Sequence, residues 1–432
     1  MMRHLICFAM LLSLGATEAA ADWNRFRGPA GQGTVGGPRV PLEFSLEKNL
    51  AWRTLLPGHG VSSPIVNGNR VYLTAYTGYG IALEAPGDPK KLVRHLLAYD
   101  RSTGEELWRR SVESGGDVNP YKGFITQHGY ATSTPVTDGD RIYALFGRSG
   151  LFAFDADGQR LWQRNLGTQT DPDLWGDASS PVLVGDVLVV NAGVLDRKVV
   201  GLDKLSGELL WSVQYDKLAR SWSTPAVYRG AAGTQVLVSG PSKVMGLDPK
   251  TGETLWFATS PIDDATSPSL VIDGEVVYQV GSRAGQALAI QIGGQGDVTE
   301  SHILWKKSVR AGITTPVLVD GALYWASGGI FMALDTQTGE MVYRERLPRL
   351  GGPTGGFPNV DYSSPIAVDG TVLLFTRSGE SYAVTAGDEF KLEAHNAAFG
   401  GDSSSFRATP AVSGGELFMR SDDYLYKFSA AP

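Results

Sequence analysis

The sequence predicts an all-β fold, an eight-bladed β-propeller of four-stranded antiparallel blades, and three observations predict it. A hydroxyl residue followed by proline recurs eight times: Ser63-Pro64, Thr134-Pro135, Ser180-Pro181, Thr224-Pro225, Ser267-Pro268, Thr315-Pro316, Ser364-Pro365 and Thr409-Pro410. After a first interval of 71 residues, the others fall between 43 and 49. That is the period of a propeller blade and not of a helical solenoid unit. Between the steps two kinds of tight-turn signature alternate, and tryptophan returns at one fixed position in most repeats. With 54 glycines and 23 prolines in 432 residues, the composition suits a turn-rich body.

The second repeat shows the plan of one blade. Ser133 to Thr137 reads as a short first strand, and Asp138-Gly139 supplies a hairpin turn in which positive φ angles favour that pair. Arg141 to Phe146 alternates as a half-buried second strand. Leu151 to Phe154 follows as the third. A second hairpin, Asp155 to Gly158, leads into Arg160 to Arg164 with Trp162 at its centre. First hairpins recur at Asn67-Gly68, Asp273-Gly274, Asp320-Gly321, Asp369-Gly370 and Gly414-Gly415. Second hairpins recur from Asp100 to Gly104, Asp203 to Gly207, Asp248 to Gly252 and Asp335 to Gly339. The fourth strands carry Trp108, Trp162, Trp211, Trp256 and Trp305, with Tyr343 in the sixth repeat. These tryptophans read as packing between blades, and each turn aspartate as a partner of its own turn backbone.

The eighth repeat stops after its third strand, near Phe428. The stretch Asn49 to Arg53 has the Leu/Ala-Trp signature of a fourth strand but no blade before it. Pairing the two removes the exposed sheet edges, so the last blade is closed by the N-terminal strand. Residues 49–432 then form the propeller. Residues 22–48 form an N-terminal arm that packs across the blades. Residues 1–21 read as an export signal: Arg3 and His4, an apolar run to about Leu14, and Ala19 to Ala21 before a cleavage point at Asp22. That places the mature chain in the periplasm or outside the cell. No segment approaches the length of a membrane span. The only cysteine, Cys7, lies in the signal, and Ile6 before it does not suit a lipid anchor. A mature chain without cysteine has no disulfide or thiol chemistry. A net charge of −7 without a basic run gives no footprint for nucleic acid.

Alternation of tight hairpins and long connections sorts the connections onto two faces. The loops before each hydroxyl-proline step share a face with those between second and third strands, and most long insertions fall there. Function is expected on that face. The residues just ahead of the steps are expected to ring the channel mouth. They are His59, His128 with Tyr130, Trp175 with Asp177, Arg220 with Trp222, Asp263 with Asp264, Arg310, Asp361 with Tyr362, and Phe406 with Arg407. Aromatic faces and arginines converging on one mouth suit a small planar or anionic ligand, and equally a protein surface. Asp171, Asp173, Gly176 and Asp177 lack the ligands and helices of a calcium loop and read as solvated aspartates. No short-spaced histidine pair supports zinc.

Trp23-Asn24-Arg25-Phe26-Arg27-Gly28-Pro29 resembles the N-terminal signature of exported PQQ-like propeller-repeat proteins. GHGVSSP (58–64), HGYATSTPVTDGDRIYALFG (128–147), SWSTP (221–225) and the repeated Leu-Asp…Thr-Gly-Glu…Leu-Trp units extend the resemblance over the mature chain. That family includes quinoprotein alcohol dehydrogenases and the outer-membrane assembly factor BamB, and its fold serves unrelated jobs. The resemblance to the dehydrogenases implies pyrroloquinoline quinone (PQQ) over the channel with a bound calcium and a catalytic aspartate. Their vicinal cysteine pair is absent here, and only location offers Asp177, Asp264 or Asp361 as the acid. The resemblance to BamB implies a docking platform. The expectation is therefore a monomeric, non-catalytic binding or scaffold protein of the cell envelope, without a cofactor. A PQQ-dependent oxidoreductase is the alternative.

Overall fold

The computed structural model describes residues 22–114, 118–281, 285–348, 362–399 and 401–430. Eight separate sheets follow one another along the chain. Blade 1 is typical: Ile65–Asn67, Arg70–Thr77, Val93–Asp100 and Glu106–Glu113 pair in that order, each antiparallel to the next. Blade 8 joins Ala411–Ser413, Glu416–Arg420 and Tyr424–Phe428 to Leu50–Leu55, with Arg53 opposite Tyr426. The ring is therefore closed by the N-terminal strand, as the sequence predicts.

The core is a ring of layers between neighbouring blades rather than one central mass. Val136, Tyr143 and Leu151 of blade 2 pack on Leu188, Val190 and Leu202 of blade 3, and the pattern repeats around the circle. The tryptophans fasten these layers. Trp108 lies over Gly158 of the next blade's second hairpin, and its Nε1 donates to Ala156 O at 3.0 Å. Trp52, Trp162, Trp211 and Trp305 do the same to the turns that hold Gly104, Gly207, Gly252 and Gly339. A Cβ at Gly252 would sit 2.7 Å from the ring of Trp211, and φ there is +74°, so only glycine fits both demands. The turn aspartates accept their own backbone amides, as Asp100 does from Ser102 and Thr103. Trp256 is the exception. Blade 5 replaces its second hairpin with the insertion from Ile292 to His302, and Trp256 Nε1 bonds Gln235 Oε1 instead.

The hydroxyl-proline steps form a second, inner ring. Ser63 N donates to Thr134 Oγ1, Thr134 N to Ser180 Oγ, and Ser180 N to Thr224 Oγ1, at 2.9, 3.0 and 3.0 Å. The chain of bonds continues through Ser269, Thr315, Ser364 and Thr409. Seven step hydroxyls, from Thr134 round to Thr409, thus accept the amide of the blade before them. Here the sequence register needs one correction. In blade 5 the ring member is Ser269, not Ser267, because Val271 pairs with Tyr278 as Val317 pairs with Tyr324. Leu270 therefore stands where the other blades have proline.

The N-terminal arm enters the hairpin end of the channel. Trp23 O and Asn24 O accept the amides of Val66 and Thr137, and Gly33 O accepts that of Ala367. Gln32 Oε1 takes the amide of Ile272 at 2.9 Å. Thr34–Val35 adds a parallel strand to Ile366–Val368. Four blades are thereby tied through first-strand amides that would otherwise lack partners. The sequence expectation of an arm laid across the blades misses this insertion, since nothing in the arm's pattern marks which amides it will cap.

Candidate functional site: a hydroxyl-lined channel under an aromatic mouth

Inside the ring lies a cavity of about 130 Å³. Its wall is the belt of step hydroxyls, from Ser63 round to Thr409. Phe26 of the arm contributes to its lining, as do Phe124, Trp175, Trp222 and Tyr362 of the loop-rich face. The aromatic groups hold one another. The ring of Phe124 stands 4.9 Å from Trp175 and 6.0 Å from Tyr362, and Trp175 stands 4.9 Å from Trp222.

Local structure explains how these rings arrive there. The short 3₁₀ turn Gly123–Gln127, inside an insertion with no counterpart in other repeats, carries Phe124. Asp171 shapes the loop that carries Trp175: its carboxylate accepts the amides of Asp173, Trp175 and Gly176 at 2.9–3.0 Å. It is wholly buried, which corrects the reading of a solvated loop. Burial raises its pKa against the pull of those amides. Trp222 Nε1 then donates to Gly176 O at 2.5 Å, locking the pair.

Of the residues expected at the mouth, His128, Trp175, Trp222, Tyr362 and Arg407 line this cavity together. The others stand elsewhere. Tyr130 donates its O–H to Asn119 O and packs among Tyr76, Tyr79 and Tyr121. Asp177 lines a separate small pocket with Arg94 and Arg148; burial raises its pKa, and those two guanidiniums lower it. His59 Nε2 lies 3.4 Å from Asp423 Oδ1. Exposed Arg220 pairs with Asp173 at 3.2 Å. Asp264 and Arg310 lie outside the lining, and Arg310 O accepts the indole of Trp325. Asp361 falls outside the described residues. Phe406 is buried between Phe399 and Tyr426. Sequence reasoning missed Phe124 and Phe26 as lining and took Asp171 for a solvated residue; none of the three has an equivalent in the repeat.

His128 is buried and bonds Thr132 Oγ1 through Nδ1 at 2.9 Å. Burial, then Arg407, lowers its pKa to about 4. Buried His95, held between Thr77 and Ser111, is lowered likewise to about 4, burial again being the first cause. Both are neutral in the folded protein near pH 7. The unfolded chain binds more protons below about 6.5, so stability falls as pH drops from there toward 4, by roughly 1.4 kcal/mol per pH unit for each histidine. Urea titrations at pH 7, 6, 5 and 4 measure this, and His128→Asn is expected to flatten the acid limb. A wild-type midpoint constant over that window would refute the assignment.

A quinone with calcium requires a larger space and a set of oxygen ligands. The cavity is below the roughly 300–1,000 Å³ usual for cofactor pockets. Among the described residues no three His, Cys, Asp or Glu side chains gather as a metal site. The described residues therefore do not fit that group.

The profile of the family described as outer membrane protein assembly factor BamB matches residues 46–171 and 94–345. BamB of Yersinia pestis is 24% identical over 409 residues, which cover 89% of this chain and 88% of that protein. The tetrathionate hydrolase of Acidithiobacillus ferrooxidans is 23% identical over 397 residues, covering 83% of this chain and 73% of that enzyme. Among solved structures, the quinohemoprotein alcohol dehydrogenase of Comamonas testosteroni superposes with a TM-score of 0.66 at 12% identity, over 95% of this chain and 81% of that one. That likeness shows the fold alone.

Proposed function

The chain belongs to the PQQ-like propeller family described as outer membrane protein assembly factor BamB, and on that premise we propose a non-catalytic docking scaffold for an envelope protein. Its docking surface is the loop-rich face. Export, with cleavage before Asp22, belongs to the same reading.

One observation carries it. The mouth's aromatic rings pack on one another, whereas apolar side chains on the surrounding loops face solvent. Ile81, Leu83 and Leu174 are 38%, 61% and 38% exposed. Apolar groups left in water on long insertions are what a protein partner would cover. Other exposed leucines, such as Leu107, Leu161, Leu209 and Leu210, lie on the outer fourth strands and not on the loop-rich face. No helix among the described residues is long and apolar enough to cross a membrane.

Leu83→Asp with Leu174→Asp is the test. Both positions are exposed, so the double variant is expected to melt with the wild type and to lose at least tenfold in crosslinking to envelope proteins, since a hot-spot residue supplies about 2 kcal/mol or more. Undiminished crosslinking would reject this face. Trp222→Ala is not a suitable probe, because Trp222 is buried and bonded. The oxidoreductase reading rests on likeness to the dehydrogenases. Titration with PQQ and calcium, followed by dye reduction with alcohols, decides it: turnover would replace the scaffold reading.

A further inference from the structure

We infer that the channel is a binding site for a small inorganic oxyanion, of the size of sulfate. The inference goes beyond the docking role and does not depend on it.

The polarity of the belt points to an anion. Seven step hydroxyls, Thr134, Ser180, Thr224, Ser269, Thr315, Ser364 and Thr409, each accept a backbone amide from the preceding blade. An oxygen that accepts an amide still has its own proton to place. Among the described residues none of these seven donates to a protein acceptor, so the protons turn to the channel. Tyr362 adds another donor there: its O–H is buried and has no partner among the described residues. Among the described residues no carboxylate lines the cavity. Arg407 is the one lysine or arginine in its wall among the described residues, and its Nη2 is paired with Asp422 Oδ2 just behind it.

Charge behind the wall agrees. Arg27 is 1% exposed and bonds the carbonyls of Thr315 and Pro316, the step residues of blade 6, and that of Pro365 in blade 7. Burial alone lowers its pKa, to about 9, with no carboxylate to oppose the shift. A buried cation without a counter-ion, one peptide from a belt of O–H donors, makes the channel favourable to negative charge. The volume sets the size: about 130 Å³ holds only a few heavy atoms.

Tyr362→Phe separates this from a water-filled channel. Removing a partnerless O–H costs the fold nothing, so the variant is expected to melt with the wild type in sulfate-free buffer. Sulfate added at constant ionic strength is expected to raise the wild-type melting temperature saturably. The variant is expected to bind about tenfold more weakly, as for one lost hydrogen bond to a charged group. Anomalous diffraction from crystals soaked in selenate is expected to place a peak inside the belt. A non-saturating rise that is equal in both proteins, or the absence of a selenate peak within the channel, would overturn the site and leave a channel of water.

Discussion

Deleting residues 22–55 is expected to abolish the cooperative propeller, not merely to weaken it. The segment ends in the fourth strand of blade 8, where Leu50 lies opposite Phe428 and Leu55 opposite Tyr424. Without it, Tyr424–Phe428 becomes an open edge with unpaired amides and carbonyls, which invites aggregation. The loss then crosses into blade 1. Trp52 Nε1 donates to Arg101 O at 3.0 Å and its ring covers Gly104, while Thr54 Oγ1 donates to Gly104 O at 2.6 Å. Phe44, packed 4.8 Å from Phe428 and within reach of Phe375 and Phe399, leaves with the arm. Blades 7, 8 and 1 share that cluster, so a single cut opens the ring at its seam.

Size-exclusion chromatography and thermal melts followed by circular dichroism measure the outcome. The deleted chain is expected to elute as aggregate and to show no sharp transition, and co-expression of residues 22–55 as a separate peptide is expected to restore both. Trp52→Ala alone is expected to cost about 3–5 kcal/mol, in the range for a large aromatic truncated in a core, and to leave a folded ring. A deleted chain that melts cooperatively within a few degrees of the wild type would show that seven blades with an open eighth suffice.

That closure was legible because it obeys the repeat: Trp52 carries the signature of a fourth strand without a blade of its own. Features that recur in most blades were readable for the same reason, since the turns around Gly104 and Gly252 each answer a tryptophan at the same fourth-strand position of the blade before. The hydroxyl of each step was visible but its purpose was not. It bonds an amide 44–49 residues away across most blade junctions, a contact made only once the ring exists. Ser267 shows the limit of counting dipeptides, because strand register, set by Val271 opposite Tyr278, moves the role to Ser269. At the mouth, position ahead of a step did not decide which way a side chain faces. Arg220 turns out to Asp173, whereas Trp222, two residues later, turns in beneath Trp175. Phe124 lies in an insertion that no other blade shares, so no periodicity could announce it.

Arg27 is a second position where a single substitution is expected to do large harm. Its Nη1 donates to Thr315 O and Pro365 O at 3.0 and 3.1 Å, and its Nη2 to Pro316 O and Gln32 O, both at 2.7 Å. Two opposing effects meet in this group. Burying the charge is costly, which is why the pKa falls to about 9, yet that still leaves it charged at pH 7. Four charge-assisted bonds offset the cost, and three of them go to carbonyls of the propeller itself. Arg27→Met removes the charge and keeps much of the volume, so the burial penalty disappears with the bonds. What remains is a set of buried carbonyls without donors, at about 1–3 kcal/mol each. The orphaned acceptors outweigh the relief, and a net loss of about 3 kcal/mol or more is expected. Arg27→Lys is expected to recover little, because a compact ammonium cannot reach carbonyls of two blades and of the arm at once. Urea midpoints give the size of the loss. Hydrogen exchange gives its place, since the amides of Ala367 and Ile272, bonded to Gly33 and Gln32, are expected to lose protection first. A methionine variant within about 1 kcal/mol of the wild type, below the cost of one unsatisfied carbonyl, would show that the arm is held by its backbone pairing and not by this guanidinium.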